Sequence, residues 1–424
     1  MTVTSPTTRW QQVRDRLPTI LMAFALVVYA APLGLWMVGI EYLAGLAAGG
    51  RDFVLSLAAV AAVYGLAVGR ALRRGGNLPM RWVAVAGGVA AAAAIWGVVG
   101  LVDHGLVQTL VGLRLTLLPL AFLAVVALLP ATEVRRLVTV VAWLVVANAV
   151  AAVGELIVGP ARLVTWGFEE DRAIRYIDGT FRVPGLTEFN AELGMFAGAY
   201  LLGYLALWLT AGARPRERAW HAGAVAAAVC LALSTSRSGA ALVVAGVAGA
   251  VLLDRSRGKA RRRLSVGLAG VLVVAVAGGF VVLGAAGSSS VFERFDVWTD
   301  RLSGVPIIGS GIGSAGAATY SRVADGPPLF VDNYFISVGL QFGPVVMAAL
   351  IVAVGFALVV LTRRSASKPS SVLLIAVLTG LASASLFIES WEYAAAMATL
   401  ALFVGLALRL DERRPRSLWP GVGR

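Results

Sequence analysis

Twelve apolar stretches follow one another along this chain and leave little between them. They lie near residues 18–40, 52–69, 82–102, 108–129, 137–158, 190–209, 219–235, 239–253, 265–286, 335–361, 371–388 and 394–409. A hydrocarbon core of about 30 Å is crossed by roughly 20 apolar residues in a helix. Within that core the backbone must satisfy its own polar groups, which an α-helix does. Polarity along these stretches has only a weak helical period, so most faces meet lipid or another helix. The pattern predicts an all-α polytopic membrane protein of about 12 transmembrane helices. Residues 1–424 form one transmembrane domain, with no room for a second, soluble one. The composition, 59% hydrophobic and 14% charged, departs from the roughly 45–50% and 25% of soluble domains in the same direction.

Charge gives the orientation. If the chain crosses at each stretch, both tails and every second loop fall on one side. That side holds 26 of the 36 basic residues against 6 of the 23 acids, a net +20. The other side holds 10 against 17, a net −7. The basic side is expected in the cytoplasm, with both termini there. The overall charge of +13 therefore belongs to membrane topology, and no basic face of a soluble fold is left for nucleic acid. The apolar run from Pro18 to Ile40 is long for a cleaved signal and reads as the first span. Cys230, the one cysteine, lies in a span, so no disulfide framework exists and no metal site is suggested. His104 and His221 lack metal-ligand partners at useful spacing.

Two outer loops are long, 159–189 and 287–333, and both mix aromatic, glycine and proline residues. Long loops of mixed chemistry are where function concentrates. Within the second, Val291–Leu302 reads as a short amphipathic helix with Phe292, Phe295, Trp298 and Leu302 on one face. It either lies along the interface or caps the bundle. Gly311, Gly313 and Gly316 match a dinucleotide fingerprint only by letters, since no strand precedes them. They are read instead as a tight turn, or as a close approach of backbone to another segment.

Charge at the edge of the hydrocarbon is costly and points to a partner or a ligand. Arg114, Arg182 and Arg237 all fall near the outer end of the bundle. Three guanidiniums at one depth suit an anionic ligand, because arginine recognises phosphate bidentately. The alternative is pairing with Glu155, Glu188, Glu192 or Asp332, or, for Arg114, snorkelling to headgroups. Asp332 precedes the tenth span, where a carboxylate serves either as a helix cap or as a general base.

These elements resemble the family of O-antigen ligases and O-antigen polymerases. Arg182-Val-Pro-Gly…Asn190 is similar to its Arg-x-x-Gly…Asn element, and Ser234-Thr-Ser-Arg-Ser-Gly-Ala240 to its Ser-Arg-Gly hairpin. Arg294…Trp298…Pro306-Ile-Ile-Gly-Ser-Gly-Ile-Gly313 resembles its outer-loop helix and glycine turn. Asp332-Asn333-Tyr-Phe…Gly339-Leu-Gln-Phe-Gly343-Pro resembles its approach to the next helix. The motifs cover about residues 180–345.

The resemblance implies a GT-C-like membrane glycosyltransferase bundle in a bacterial cytoplasmic membrane, active on its outer face, metal-independent and inverting, with no cofactor. The donor would be a glycan on a polyprenyl, usually undecaprenyl, diphosphate, and the acceptor a glycan or a lipid-linked core. Arg182 and Arg237 would hold the donor diphosphate, with Arg114 as a third candidate and Asn190, Arg294 and Asn333 in support. Asp332 would be the base. Ligases carry histidine at that position, and the Asp-Asn pair leans towards the polymerases. Nearby arginines would depress a carboxyl pKa, so Asp332 has a second reading, orienting the acceptor or holding an arginine. A transporter or flippase of lipid-linked glycans is the competing function. It would show charge at mid-bundle, for example in the first three or last two spans.

Overall fold

The computed structural model describes residues 9–32, 80–166, 175–177, 180–210, 215–255, 298–320 and 331–410. Apart from one short ribbon the regular elements are helices. Helix α1 is Arg9–Ala30. Met80–Leu128 bends at Gly105 (φ 77°, ψ 172°) into α2 (80–104) and α3 (106–128). Helix α4 is Ala131–Val158 and α5 is Pro160–Thr165. Strands β1 (Arg175–Ile177) and β2 (Thr180–Arg182) pair antiparallel, with Tyr176 opposite Phe181. Then come α6 (Asn190–Leu209), α7 (Arg218–Ser234), α8 (Arg237–Leu253) and α9, described over 298–303. Helices α10 (Tyr334–Phe342), α11 (Pro344–Arg364), α12 (Ser370–Ala384) and α13 (Ala394–Leu410) complete the order.

By length and composition, four of these stretches can cross a membrane: Gly87–Ala127, Ala131–Val158, Asn190–Leu209 and Pro344–Arg364. This makes the protein a helical, membrane-associated one. Helices α7, α8, α12 and α13 are as apolar but only 15–17 residues long. The described residues thus hold four full-length spans, not twelve. The expected spans at 52–69 and 265–286 lie outside the described residues, as do residues 33–40 of the first expected span, the first part of the amphipathic helix, and Arg294. The expected single span at 335–361 is two helices. Gly343 has φ 94° and Pro344 starts α11, so a left-handed residue followed by one without an amide hydrogen breaks the helix. The all-α expectation holds, with the short β1–β2 ribbon as its one exception among the described residues; Asp178-Gly179 between the strands is a hairpin dipeptide.

Helix α6 is the central element. It packs on α4, α7, α8, α12 and α13, and Leu193, Phe196, Tyr200 and Leu202 on it are fully buried. Its crossing with α8 is close because both contact faces lack side chains. An added Cβ on Gly198 would lie 2.8 Å from Gly239 O, and one on Gly194 would collide with Ser236. Without water inside the bilayer, association depends on packing, and small residues permit it. The crossing fixes the α7–α8 turn beside the start of α6. Midway along α6, Tyr200 packs edge-on against Phe403, centroids 5.8 Å apart, and its Oη donates to Trp220 O.

Candidate functional site

The 183–190 segment runs from β2 to α6 and is held from three sides. Asn148 on α4 is fully buried, and its Nδ2 donates to Ala30 O and Leu144 O, both at 2.9 Å. Its Oδ1 accepts from Leu186 N at 3.0 Å. Two helical turns further on, Glu155 Oε2 accepts from Gly185 N at 2.9 Å. Gly185 has φ 62°, and a Cβ there would lie 3.1 Å from Asn148 Oδ1. The Pro184-Gly185 turn is therefore bonded to two buried polar side chains, and Arg182 emerges next to it. Replacing Asn148 by leucine strands the Leu186 amide and the Ala30 carbonyl. At ~1–3 kcal/mol for each orphaned buried group, Asn148→Leu is expected to lower the thermal midpoint in detergent by several degrees. An unchanged midpoint would mean that these bonds hold nothing.

Arg182 reaches the α7–α8 turn. Its Nε donates to Thr235 Oγ1 at 2.8 Å and to Ser234 O at 3.3 Å, and its Nη2 donates to Thr235 O at 3.1 Å. Asn190 Nδ2 donates to the same Ser234 O at 3.2 Å. The last carbonyls of a helix need donors and favour positive charge, so the C-terminus of α7 is where these two side chains dock. Thr235 caps that helix in the left-handed region, φ 47°. Ser236 then caps α8, its Oγ accepting from Gly239 N. Arg237 is the first residue of α8 and is exposed. Among the described residues it makes no hydrogen bond or ion pair. A fixed guanidinium, an exposed guanidinium and the positive end of α8 meet in one short turn, a combination that attracts anions. The structure thus brings Arg182, Asn190 and Arg237 together.

Asp332 lies on the other side of the same end. It stands in the left-handed region, φ 49°, which is unusual for a residue with a side chain. It does not cap the following helix. Asn333 does, its Oδ1 accepting from Phe335 N at 3.0 Å and Ile336 N at 3.2 Å. The turn is anchored by residues 385–393, which link α12 to α13. Tyr334 N donates to Ser385 O at 2.8 Å, and Val331 N donates to Glu389 Oε1 at 3.1 Å. Tyr334 stacks on Trp391, and Trp391 Nε1 donates to Thr116 O on α3. Phe189 and Tyr393 meet with ring centroids 5.9 Å apart, which ties the Asn190 side to this one.

Arg114, half-buried on α3, acts electrostatically on Glu392. Glu392 Oε2 in turn accepts from Ala317 N at 2.7 Å, at the end of the glycine-rich loop. That loop is wedged between helices. Ile312 N donates to Trp96 O, Gly311 N to Gln341 O and Gly313 N to Gln341 Oε1, while Gln108 Nε2 donates to Gly313 O. The glycines serve close backbone approach, as their spacing suggests. His104 meets Ser310 O in the same seam. Trp298 on α9 donates from Nε1 to Val331 O at 2.8 Å, so the described end of the amphipathic helix packs onto the bundle.

Sequence reasoning missed Glu389 and Glu392. Glu389 is 2% exposed. Burial pushes its carboxyl up to about 7, opposed by backbone hydrogen bonds from Val331 and Asp332, and Asp332 adds to the rise. The available signal was two carboxylates and two aromatics, Trp391 and Tyr393, in a five-residue gap between apolar runs. Among the described residues no group of three or more His, Cys, Asp or Glu side chains is placed to hold a metal ion. Compared with protein-family models, with curated proteins and with solved structures, the chain matches none.

Proposed function

We propose that this protein is a membrane glycosyltransferase of the O-antigen ligase and polymerase kind. In this reading about twelve spans, the four shorter apolar helices among them, place both termini in the cytoplasm and the site on the outer face of a bacterial cytoplasmic membrane. A polyprenyl-diphosphate-linked glycan is the donor, and a glycan or lipid-linked glycan is the acceptor. The observation that carries the reading is the α7–α8 turn, where Arg182 is held by three hydrogen bonds and Arg237 stands exposed two residues on.

In the reaction the bond from the sugar anomeric carbon to the diphosphate oxygen breaks, and a bond to the acceptor oxygen forms. The acceptor proton leaves to a base, and polyprenyl diphosphate departs as an anion. Preorganised guanidiniums stabilise that growing charge. Arg182 and Arg237 are placed on the diphosphate. Arg114 is the third candidate, its charge shared with Glu392. Asp332 is the base or the acceptor-orienting group, and its strained turn is the kind of backbone found at functional sites.

Transport is the second reading, and one observation favours it: the carboxyls of Glu389 and Glu392 sit between the last two helices. They lie in the connection at the end that holds Asp332, not along the helices, which suits a one-sided site better than a path through the bundle. Protein reconstituted in liposomes with a polyprenyl-diphosphate oligosaccharide and a glycan acceptor separates the two. The proposal expects elongated or conjugated glycan with one polyprenyl diphosphate released per bond, at a rate that a chelator leaves unchanged. Movement of intact donor across the bilayer with no new glycosidic bond would point to transport. Strong inhibition by the chelator would contradict the metal-free mechanism.

A further inference from the structure

The connection between α12 and α13 does more than close the bundle. It folds over the 331–334 turn and bonds it at both ends, through Glu389 to Val331 N and through Ser385 O to Tyr334 N. Ser385 and Ser390 lock the connection to itself, their hydroxyls 2.6 Å apart. Asp332 sits between the two anchored amides in a conformation that its side chain disfavours. The second carboxyl oxygen, Glu389 Oε2, is buried and has no hydrogen-bond partner among the described residues. A buried polar atom left open is rare and calls for an explanation. A carboxylate there carries an uncompensated charge; a carboxylic acid does not.

We propose that Glu389 is a positioning residue for the acceptor side of the site, clamping the turn that presents Asp332 and holding a proton so that Asp332 carries the negative charge. The proposal rests on the transfer reading above. Its physics is that two neighbouring carboxyls in a dry site do not both ionise. Glu389 is the more buried of the two, and burial with the nearby Asp332 charge keeps its proton on up to about pH 7. The charged and titratable groups around it support that order. Asp332 approaches from the turn before α10, Glu392 is on the same connection, and Glu192 reaches Tyr393 from the start of α6. Arg114 on α3 offsets Glu392. Below about pH 7 Glu389 is neutral and places no second charge beside Asp332. Above it Glu389 ionises and adds negative charge beside Asp332 and an anionic donor, so transfer falls on the alkaline side.

The test uses the full-length protein in liposomes with Glu389→Gln and Glu389→Ala. Glutamine keeps an oxygen for Val331 N and cannot ionise. The expected result is that the alkaline fall in rate, present in the wild type between about pH 6 and about pH 8.5, disappears in Glu389→Gln. Glu389→Ala, which loses the clamp, is expected to lose roughly tenfold or more at every pH. An independent readout is infrared absorption. The wild type should lose protonated-carboxyl C=O absorption over the same pH interval, and Glu389→Gln should lose one carboxyl less of it. A wild-type alkaline limb in Glu389→Gln, or an unchanged band loss, would overturn the proposal. A wild type that forms no product at any pH defeats the transfer reading and the acceptor role with it, whereas the band still reports whether Glu389 holds the proton.

Discussion

Arg182→Ala is expected to abolish glycan transfer, by about 100-fold or more if its guanidinium acts as a preorganised donor to the leaving diphosphate. The expectation comes from how the side chain is held. Its Nε and one Nη are committed to Ser234 O, Thr235 Oγ1 and Thr235 O, which fixes the plane of the fork. Alanine removes both the charge and the cap on the α7 C-terminus. Lysine restores charge but not the fork, so Arg182→Lys should recover little. Because the first substitution also disturbs the turn, Arg237→Ala is the companion variant. Arg237 is exposed, and among the described residues it makes no hydrogen bond or ion pair, so its loss should leave the thermal midpoint unchanged while transfer still falls. Full transfer in either alanine variant, measured on equal amounts of membrane-inserted protein, would remove the diphosphate role.

Gly311→Ala is expected to be among the most damaging single-methyl changes to stability. Gly311 has φ 86°, and a Cβ built on it would collide with the backbone of Gly100 on α2. The contact is mutual, since a Cβ on Gly100 would strike Ile312 O. Neither partner is a side chain that can rotate away. Relief requires the loop to lift from α2 and α10, breaking the bonds of Ser310 N to Leu340 O, Gly311 N to Gln341 O and Ile312 N to Trp96 O. Left-handed strain of about 1–3 kcal/mol adds to this loss. Little folded protein should survive extraction into detergent, and what survives should melt well below the wild type. Gly304→Ala is the control, because nothing lies within 4 Å of a Cβ at that position. Equal melting of the two variants would show that the loop is not locked between the helices.

What the sequence could reveal follows from where its signals are local. The runs at 190–209, 219–235, 239–253, 371–388 and 394–409 each end at charged, polar or turn-forming residues. Their helices start and stop at those limits or within four residues of them. Arg182 and Arg237 were legible because charge at the edge of the hydrocarbon is costly whatever the fold, and Asn190 only through the family resemblance. The break at Gly343 was hidden by apolar residues on both sides, though the Gly343-Pro344 pair is a local marker of it. Asp332 and Asn333 are both good capping residues, and only the three-dimensional path of the turn selects the asparagine. The roles of Glu389 and Glu392 were out of reach for a different reason. Their burial and bonding depend on the 331–334 turn and the glycine loop folding against them, contacts 58 and 75 residues away in sequence.

The central claim is that this protein consumes a lipid-linked glycan on the outer face of the membrane. The most direct measurement deletes the gene in its own host and sizes the polyprenyl-linked glycans on each face. Single repeats should be stranded on the outer face, with full-length chains stranded there instead if the activity is ligation. Glycans trapped on the inner face, or no change in the lipid-linked pool, would contradict it.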